Sequence, residues 1–265
     1  MKRFLVVLAL LGSTQAFAQS KTPGFFKRLE LGYTFVFDKA TLSESYPIER
    51  KDPLRIDPII KDTTIYTSLK PKGAIGGLIG STIPVARLGR VSMLAFTVHA
   101  TVNMITWDYK DDQPKNTTIT SPNTPNERVE TQQITATTMQ AGLPLGVDVK
   151  FGCDAVADKS YRYCASFGVG ATPSYITSEL NGLSNSEMLV RPHLRAEAGI
   201  FGGMCFKVRA QYTFGTVSYL TTVKEQPEHL RMFNNTTSLS GNSSFNLSLI
   251  IMPFAASWDA DRWWK

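Results

Sequence analysis

The sequence predicts an all-β protein: a closed antiparallel transmembrane β-barrel of about eight strands in meander order. Three observations lead there. Apolar residues recur every second position, the connections between such runs alternate in length, and the polar positions carry charges that an ordinary solvated sheet has no use for.

The alternation is plainest in Leu29-Glu30-Leu31-Gly32-Tyr33-Thr34-Phe35-Val36-Phe37, where every odd position is large and apolar. Successive strand side chains point to opposite faces, so this segment has one greasy face and one tolerant face. Residues 92–107 repeat it, with Leu94, Phe96, Val98, Ala100, Val102 and Met104 against Ala95, Thr97, His99, Thr101 and Asn103. Leu145, Val147, Val149 and Phe151 interleave with Gly146, Asp148 and Lys150, and Phe206, Val208, Ala210, Tyr212 and Phe214 with Lys207, Arg209, Gln211 and Thr213. Residues 163–171 and 245–254 do the same, and the runs 74–83 and 190–201 bring the count to about eight. An even number of such ribbons is the signature of a bacterial outer-membrane barrel.

A soluble sandwich also alternates in twos, so the connections matter. They are long at 38–72, 110–130 and 216–242, and short at 84–90, 152–160 and 202–203, with 177–187 intermediate. Barrels of the outer membrane have long outer loops and tight periplasmic turns. The polar face is the third sign. Arg191, His193, Arg195 and Glu197 share one strand, and Arg209 lies on the next. In a closed barrel they face inward and must pair, which makes Glu30, Asp148 and Glu197 the expected partners of Arg162, Arg191, Arg195 and Arg209. Closure is itself required, because an open sheet edge in hydrocarbon leaves backbone groups unpaired.

The ends and the composition set the compartment. Met1-Lys2-Arg3, the apolar run 4–11 and Ala16-Phe17-Ala18 read as a secretory signal peptide over residues 1–18, which leaves 19–254 as the barrel. Cleavage there lowers the formal charge from +6 to +4, too mild a balance to argue for nucleic acid. Residues 255–265 form a Trp-rich periplasmic tail, in which Trp258, Trp263 and Trp264 are expected as an interfacial anchor. Packing of that tail against the barrel base is the alternative. Of the three cysteines, Cys153 and Cys164 flank a short polar turn and form the candidate disulfide, provided their Cα atoms come within about 7 Å. Cys205 has no evident partner. No Cys/His spacing suggests a metal site, and no phosphate loop suggests a nucleotide, so neither metal nor cofactor is expected.

Residues 143–151, LPLGVDVKF, resemble the I-P-L-x-x-K-Y/F-x-F strand of the outer-membrane β-barrel family abundant in Bacteroidota, the PorT-like small barrels of eight strands and OmpA type. Residues 165–175, ASFGVGATPSY, resemble its G-x-G-x-x-P-S/Y strand, residues 206–215 its L-x-x-R-Y-x-x-G strand, and residues 245–254 its closing strand. The resemblance implies residence in the outer membrane among its lipids. It also implies a structural or interaction role, as an accessory of the type IX secretion apparatus with secretion or other envelope proteins as partners. Two rivals are a lipid-modifying barrel enzyme using His99 or His193 and a narrow passive pore. Neither histidine has a spaced nucleophile signature, so no catalytic residues are expected. Eight strands enclose a space that side chains fill.

Overall fold

The computed structural model describes residues 24–50, 59–109, 136–180, 183–223 and 236–258. The signal-peptide reading, the loop 110–130, Trp263 and Trp264 lie outside them. The described residues contain ten strands: β1 (Glu30–Arg50), β2 (Ile59–Arg87), β3 (Ser92–Tyr109), β4 (Ala136–Gly142), β5 (Leu145–Gly152), β6 (Tyr163–Leu180), β7 (Leu183–Phe201), β8 (Cys205–Thr213), β9 (Val217–Val223) and β10 (Thr236–Met252). One-turn helices α1 (Gly24–Lys27) and α2 (Cys153–Val156) and a 3-10 turn at Pro253–Ser257 sit at one end.

Ten strands make eight staves. β4 and β5 both pair with β3 on one side and β6 on the other, so they are halves of one stave interrupted at Leu143-Pro144. Pro144 has no N–H to give to the ladder. Leu143 N–H donates to the Pro173 carbonyl at 2.8 Å and the Pro144 carbonyl accepts from His99 N–H at 3.1 Å, so pairing continues across the break. β8 and β9 are likewise two halves beside β10, with Gly215 at φ +103° in the interruption. Each stave is antiparallel to the one before it. The ring then closes: β1 pairs with β10 from Leu31↔Ile251 to Phe37↔Phe245. The fold is a transmembrane β-barrel, and no described helix is long and apolar enough to cross a membrane.

Polarity reverses along the staves without a change of parity. On β1, Leu31, Tyr33, Phe35 and Phe37 point out and are exposed, while Glu30, Thr34 and Asp38 point in and are buried. Beyond Asp38 the outward residues become Lys39 and Thr41 and the inward ones Ala40 and Leu42. Ala40 and Leu42 join Leu69, Ile105, Trp107, Ile176 and Leu239 in an apolar cluster that fills the upper interior. The lower part is therefore built for hydrocarbon outside, and the upper part is an ordinary water-soluble barrel with a greasy core.

That reversal corrects three expected loops. Residues 38–72 are mostly strand: β1 and β2 stay paired from Ala40↔Leu69 up to Arg50↔Ile59. β6 and β7 continue to Leu180↔Leu183, and β9 and β10 pair from Gly241↔Val217 to Thr236↔Val223. These segments lack an outward apolar face because water, not lipid, surrounds them. The other end has tight connections at 88–91 and 202–204. Its third connection, expected as a polar hairpin turn, begins instead with α2, whose four residues are all buried.

Candidate functional site

The lower lumen is filled by one charge network. Glu30, the first residue of β1, receives the Lys207 ammonium and the Arg209 guanidinium, with Lys150 Nζ at 3.6 Å and His99 Nε2 at 2.8 Å. Glu197 accepts from Arg209 Nε at 2.6 Å and from Lys207 Nζ at 3.2 Å, with Lys150 Nζ at 3.7 Å. Asp148 accepts from Arg195 Nε at 2.8 Å, and Arg195 Nη1 lies 3.3 Å from His99 Nδ1. Arg209 Nη2 lies 3.0 Å from His99 Nε2, so both ring nitrogens face a guanidinium and Nε2 is shared between Arg209 and the Glu30 carboxylate.

Asp154, on α2, caps the network from below. It accepts from Lys150 Nζ at 2.8 Å and Lys207 Nζ at 3.1 Å, and Arg28 Nη1 stands 3.2 Å from its Oδ1. Burial pushes this carboxyl up, but the Lys150, Lys207 and Arg28 charges outweigh that and hold it below the usual carboxylate range. Arg28 also donates to the backbone carbonyls of Asp154 and Ala155, so the chain entering the barrel is pinned to the turn beneath it.

Of the residues expected in the lumen, Glu30, Asp148, Arg191, His193, Arg195, Glu197 and Arg209 are buried there. Arg191 stands higher, lining a polar middle layer with Asn103, Gln140, Gln211 and Asn246 around a cavity of about 20 Å³. His193 Nδ1 meets Thr172 Oγ1 at 2.9 Å. Arg162 is the exception: it is exposed in the connection before β6, where strand parity no longer applies. Lys150, Lys207, Asp154 and Arg28 belong to the network although the sequence reading left them out. Lys150 and Lys207 had a usable signal, since both fall on the inward parity of their strands. Nothing local marks Arg28 or Asp154, which join through turns.

Two other expectations change. All three cysteines are free, and Cys205 is not isolated, because its Sγ lies 3.9 Å from that of Cys164. Trp258 is no interfacial anchor: it is 1% exposed, its ring stacks on Phe201 with centroids 6.0 Å apart, and its Nε1–H donates to the Lys27 carbonyl at 2.8 Å. The 3-10 turn begins at Pro253 and folds the chain under the barrel mouth, which gives the indole a packed site instead of a headgroup layer.

The carboxylates at the base of the network are already served by cations, while higher up Asp148 Oδ2 and His193 Nε2 are buried without a hydrogen-bond partner among the described residues. Oxygens of Glu30, Asp154 and Glu197 lie within 4.8 Å of one another, a spacing suited to a cation, but the Lys150 and Lys207 ammonium groups already serve them. The recorded partners of the His99 ring are carboxylate and guanidinium, with no hydroxyl or thiol to activate.

No protein-family model matches the chain, and no curated protein matches its sequence. Similar solved structures include Neisserial surface protein A, with 10% identity, coverage of 83% of this chain and 96% of that one, and a TM-score of 0.27. The outer membrane protease OmpT from Escherichia coli shares 6% identity over 87% of this chain and 98% of its own, with a TM-score of 0.35. Ail, the attachment invasion locus protein of Yersinia pestis, shares 7% identity over 83% and 98%, with a TM-score of 0.27. The barrel assignment stands on this chain's own closed ladder and on the polarity of its two faces.

Proposed function

We propose that this chain is a small barrel of the bacterial outer membrane with a structural or protein-interaction role, and that it neither conducts nor catalyses. The observation that carries the reading is the filled lumen: ion pairs below, packed polar side chains in the middle and an apolar cluster above. Among the described residues, the cavity in the polar middle layer is only about 20 Å³, which supports an occluded lumen. Function then falls to surfaces, and one of them is the paired β1–β2 ribbon that rises past the apolar belt. The PorT-like resemblance of residues 143–151, 165–175, 206–215 and 245–254 gives the role its specific form, an accessory of type IX secretion.

Two measurements test this. Planar bilayers containing the purified chain stay electrically silent, whereas stable open steps overturn the occluded lumen. A photocrosslinker placed at Tyr66, exposed on the β1–β2 ribbon, captures one specific envelope protein in native membranes. Capture of nothing but lipid sinks the interaction role. If His99→Ala or His193→Ala alters the outer-membrane lipids seen by mass spectrometry, the enzyme rival replaces this reading.

A further inference from the structure

Below the charge network three thiols converge. Cys153 opens α2, Cys164 follows the first residue of β6, and Cys205 opens β8. All three are buried, and their sulfurs lie within 4.8 Å of one another, that of Cys164 standing 3.9 Å from that of Cys205. A disulfide holds its sulfurs about 2.05 Å apart and joins only two. This arrangement brings three together with no bond among them.

The backbone makes room for the cluster. Gly152, at φ +77°, turns the chain so that Cys153 enters the barrel mouth. Gly199 pairs with Cys164 across β6 and β7, and a Cβ there would stand 2.9 Å from the Cys164 sulfur. The surrounding shell is apolar: Met252, which pairs with Cys205 in register, together with Ala255, Trp258 and Phe201.

We propose that Cys153, Cys164 and Cys205 form a three-sulfur site for a single soft monovalent cation, Cu(I). Thiolate and thioether donors select soft ions. Sulfurs about 2.3 Å from one shared centre stand about 3.8–4.0 Å apart, which matches the Cys164–Cys205 spacing. Zn(II) completes a tetrahedron with a fourth donor. The described shell offers no imidazole, and the adjacent carboxylate, Asp154, is committed to Arg28, Lys150 and Lys207. Cu(I) is content with three sulfurs, and the Met252 thioether beside them is of the same softness. Binding replaces S–H protons, which pass to solvent, so affinity rises with pH.

The test uses the full chain, refolded in detergent, reduced, and freed of reductant under anaerobic conditions. It is titrated with Cu(I) against a chromogenic Cu(I) chelator. One ion per chain is expected, with loss of maleimide reactivity at all three thiols, an all-sulfur shell by X-ray absorption, and no displacement by excess Zn(II). Cys153→Ser, Cys164→Ser and Cys205→Ser each abolish the stoichiometric site, with heat-modifiable gel migration reporting that the barrel still forms. Absence of saturable binding to the wild-type chain, tighter binding of Zn(II), or a disulfide between any two of these cysteines in acid-trapped native membranes each overturns the proposal.

Discussion

Asp148 and Arg195 lie two staves apart and meet at 2.8 Å across Gly168, which pairs with both of them in register. A Cβ at Gly168 would overlap the Asp148 carboxylate, so the glycine is the gap through which the ion pair forms. Gly168→Val therefore breaks a buried pair, at a cost of about 3–5 kcal/mol. Gly77, which faces outward with no atom within 4 Å of an added Cβ, serves as the contrast. Gly77→Val leaves stability unchanged. Reversible urea unfolding in lipid vesicles measures both, and equal losses contradict the crossing-gap account.

Glu30 is the hub where four staves meet, since His99, Lys150, Lys207 and Arg209 come from β3, β5 and β8 while Glu30 itself is on β1. Glu30→Gln strands buried ammonium and guanidinium groups and should cost about 3–5 kcal/mol. Lys207→Met should cost a similar amount alone. The double variant should lose less than the two combined, with a coupling of about 0.5–3 kcal/mol. Strict additivity in a double-mutant cycle would show that the network is a set of independent contacts.

The Asp154 carboxyl is held below its ordinary value by Lys150, Lys207 and Arg28, against the upward push of burial. A carboxyl lowered in the folded state binds fewer protons there than in the unfolded chain. Its contribution is complete above the unfolded value of about 3.9 and disappears as pH falls through the lowered folded value. The base should thus loosen in acid and stay indifferent to mild alkali. Protection of the amides at residues 153–158, taken as the ratio of intrinsic to observed exchange rate and followed from neutral pH to well below about 3.9, measures it. In Asp154→Asn that protection should be low already at neutral pH and should not change with acid.

Much of this was legible from local pattern. Odd-even alternation in residues 29–37 gives a stave and its two faces, because parity is a property of the backbone and needs no partner. It also gave the inward set Asp148, Arg195, Glu197 and Arg209, and it would have given Lys150 and Lys207 if read consistently. The reading failed at Arg162, which lies in a connection, and on 39–45 and 67–70, where the solvent outside changes and the same parity carries the opposite polarity. Of the cysteine trio only Cys153 and Cys164 could be brought together from the sequence: Cys205 joins them through the register of β7, where Gly199 pairs with Cys164 and Phe201 with Cys205, and no local pattern sets that register.

The polarity reversal predicts opposite responses to the same substitution at two heights. Leu249 is exposed on the outer face of β10 within the apolar belt, opposite Tyr33. Leu249→Arg places a charge in hydrocarbon and should cost about 2–4 kcal/mol at mid-depth. Thr41 is exposed on the outer face of β1 above that belt, beside Ser68 and Ser240. Thr41→Arg should change folding free energy negligibly. Unfolding titrations in vesicles of one lipid composition decide it, and a comparable cost at both sites would place the bilayer boundary higher than Phe37.

Trp258 separates a packed tail from a membrane anchor in a single spectrum. Its indole stacks on Phe201 and is bonded to the Lys27 carbonyl, away from lipid. In a chain whose Trp107, Trp263 and Trp264 are replaced by Phe, the remaining emission should be blue-shifted. Phosphatidylcholine brominated along its acyl chains should not quench it. Strong quenching would put the ring at the bilayer and undo the packing account. Trp258→Ala empties that site and removes the hydrogen bond, so it should destabilise the chain by about 3–5 kcal/mol. The loss should concentrate at the barrel mouth: fast-exchanging amides are expected at 24–29 and 253–257, while the ladder between β1 and β10 higher up stays protected.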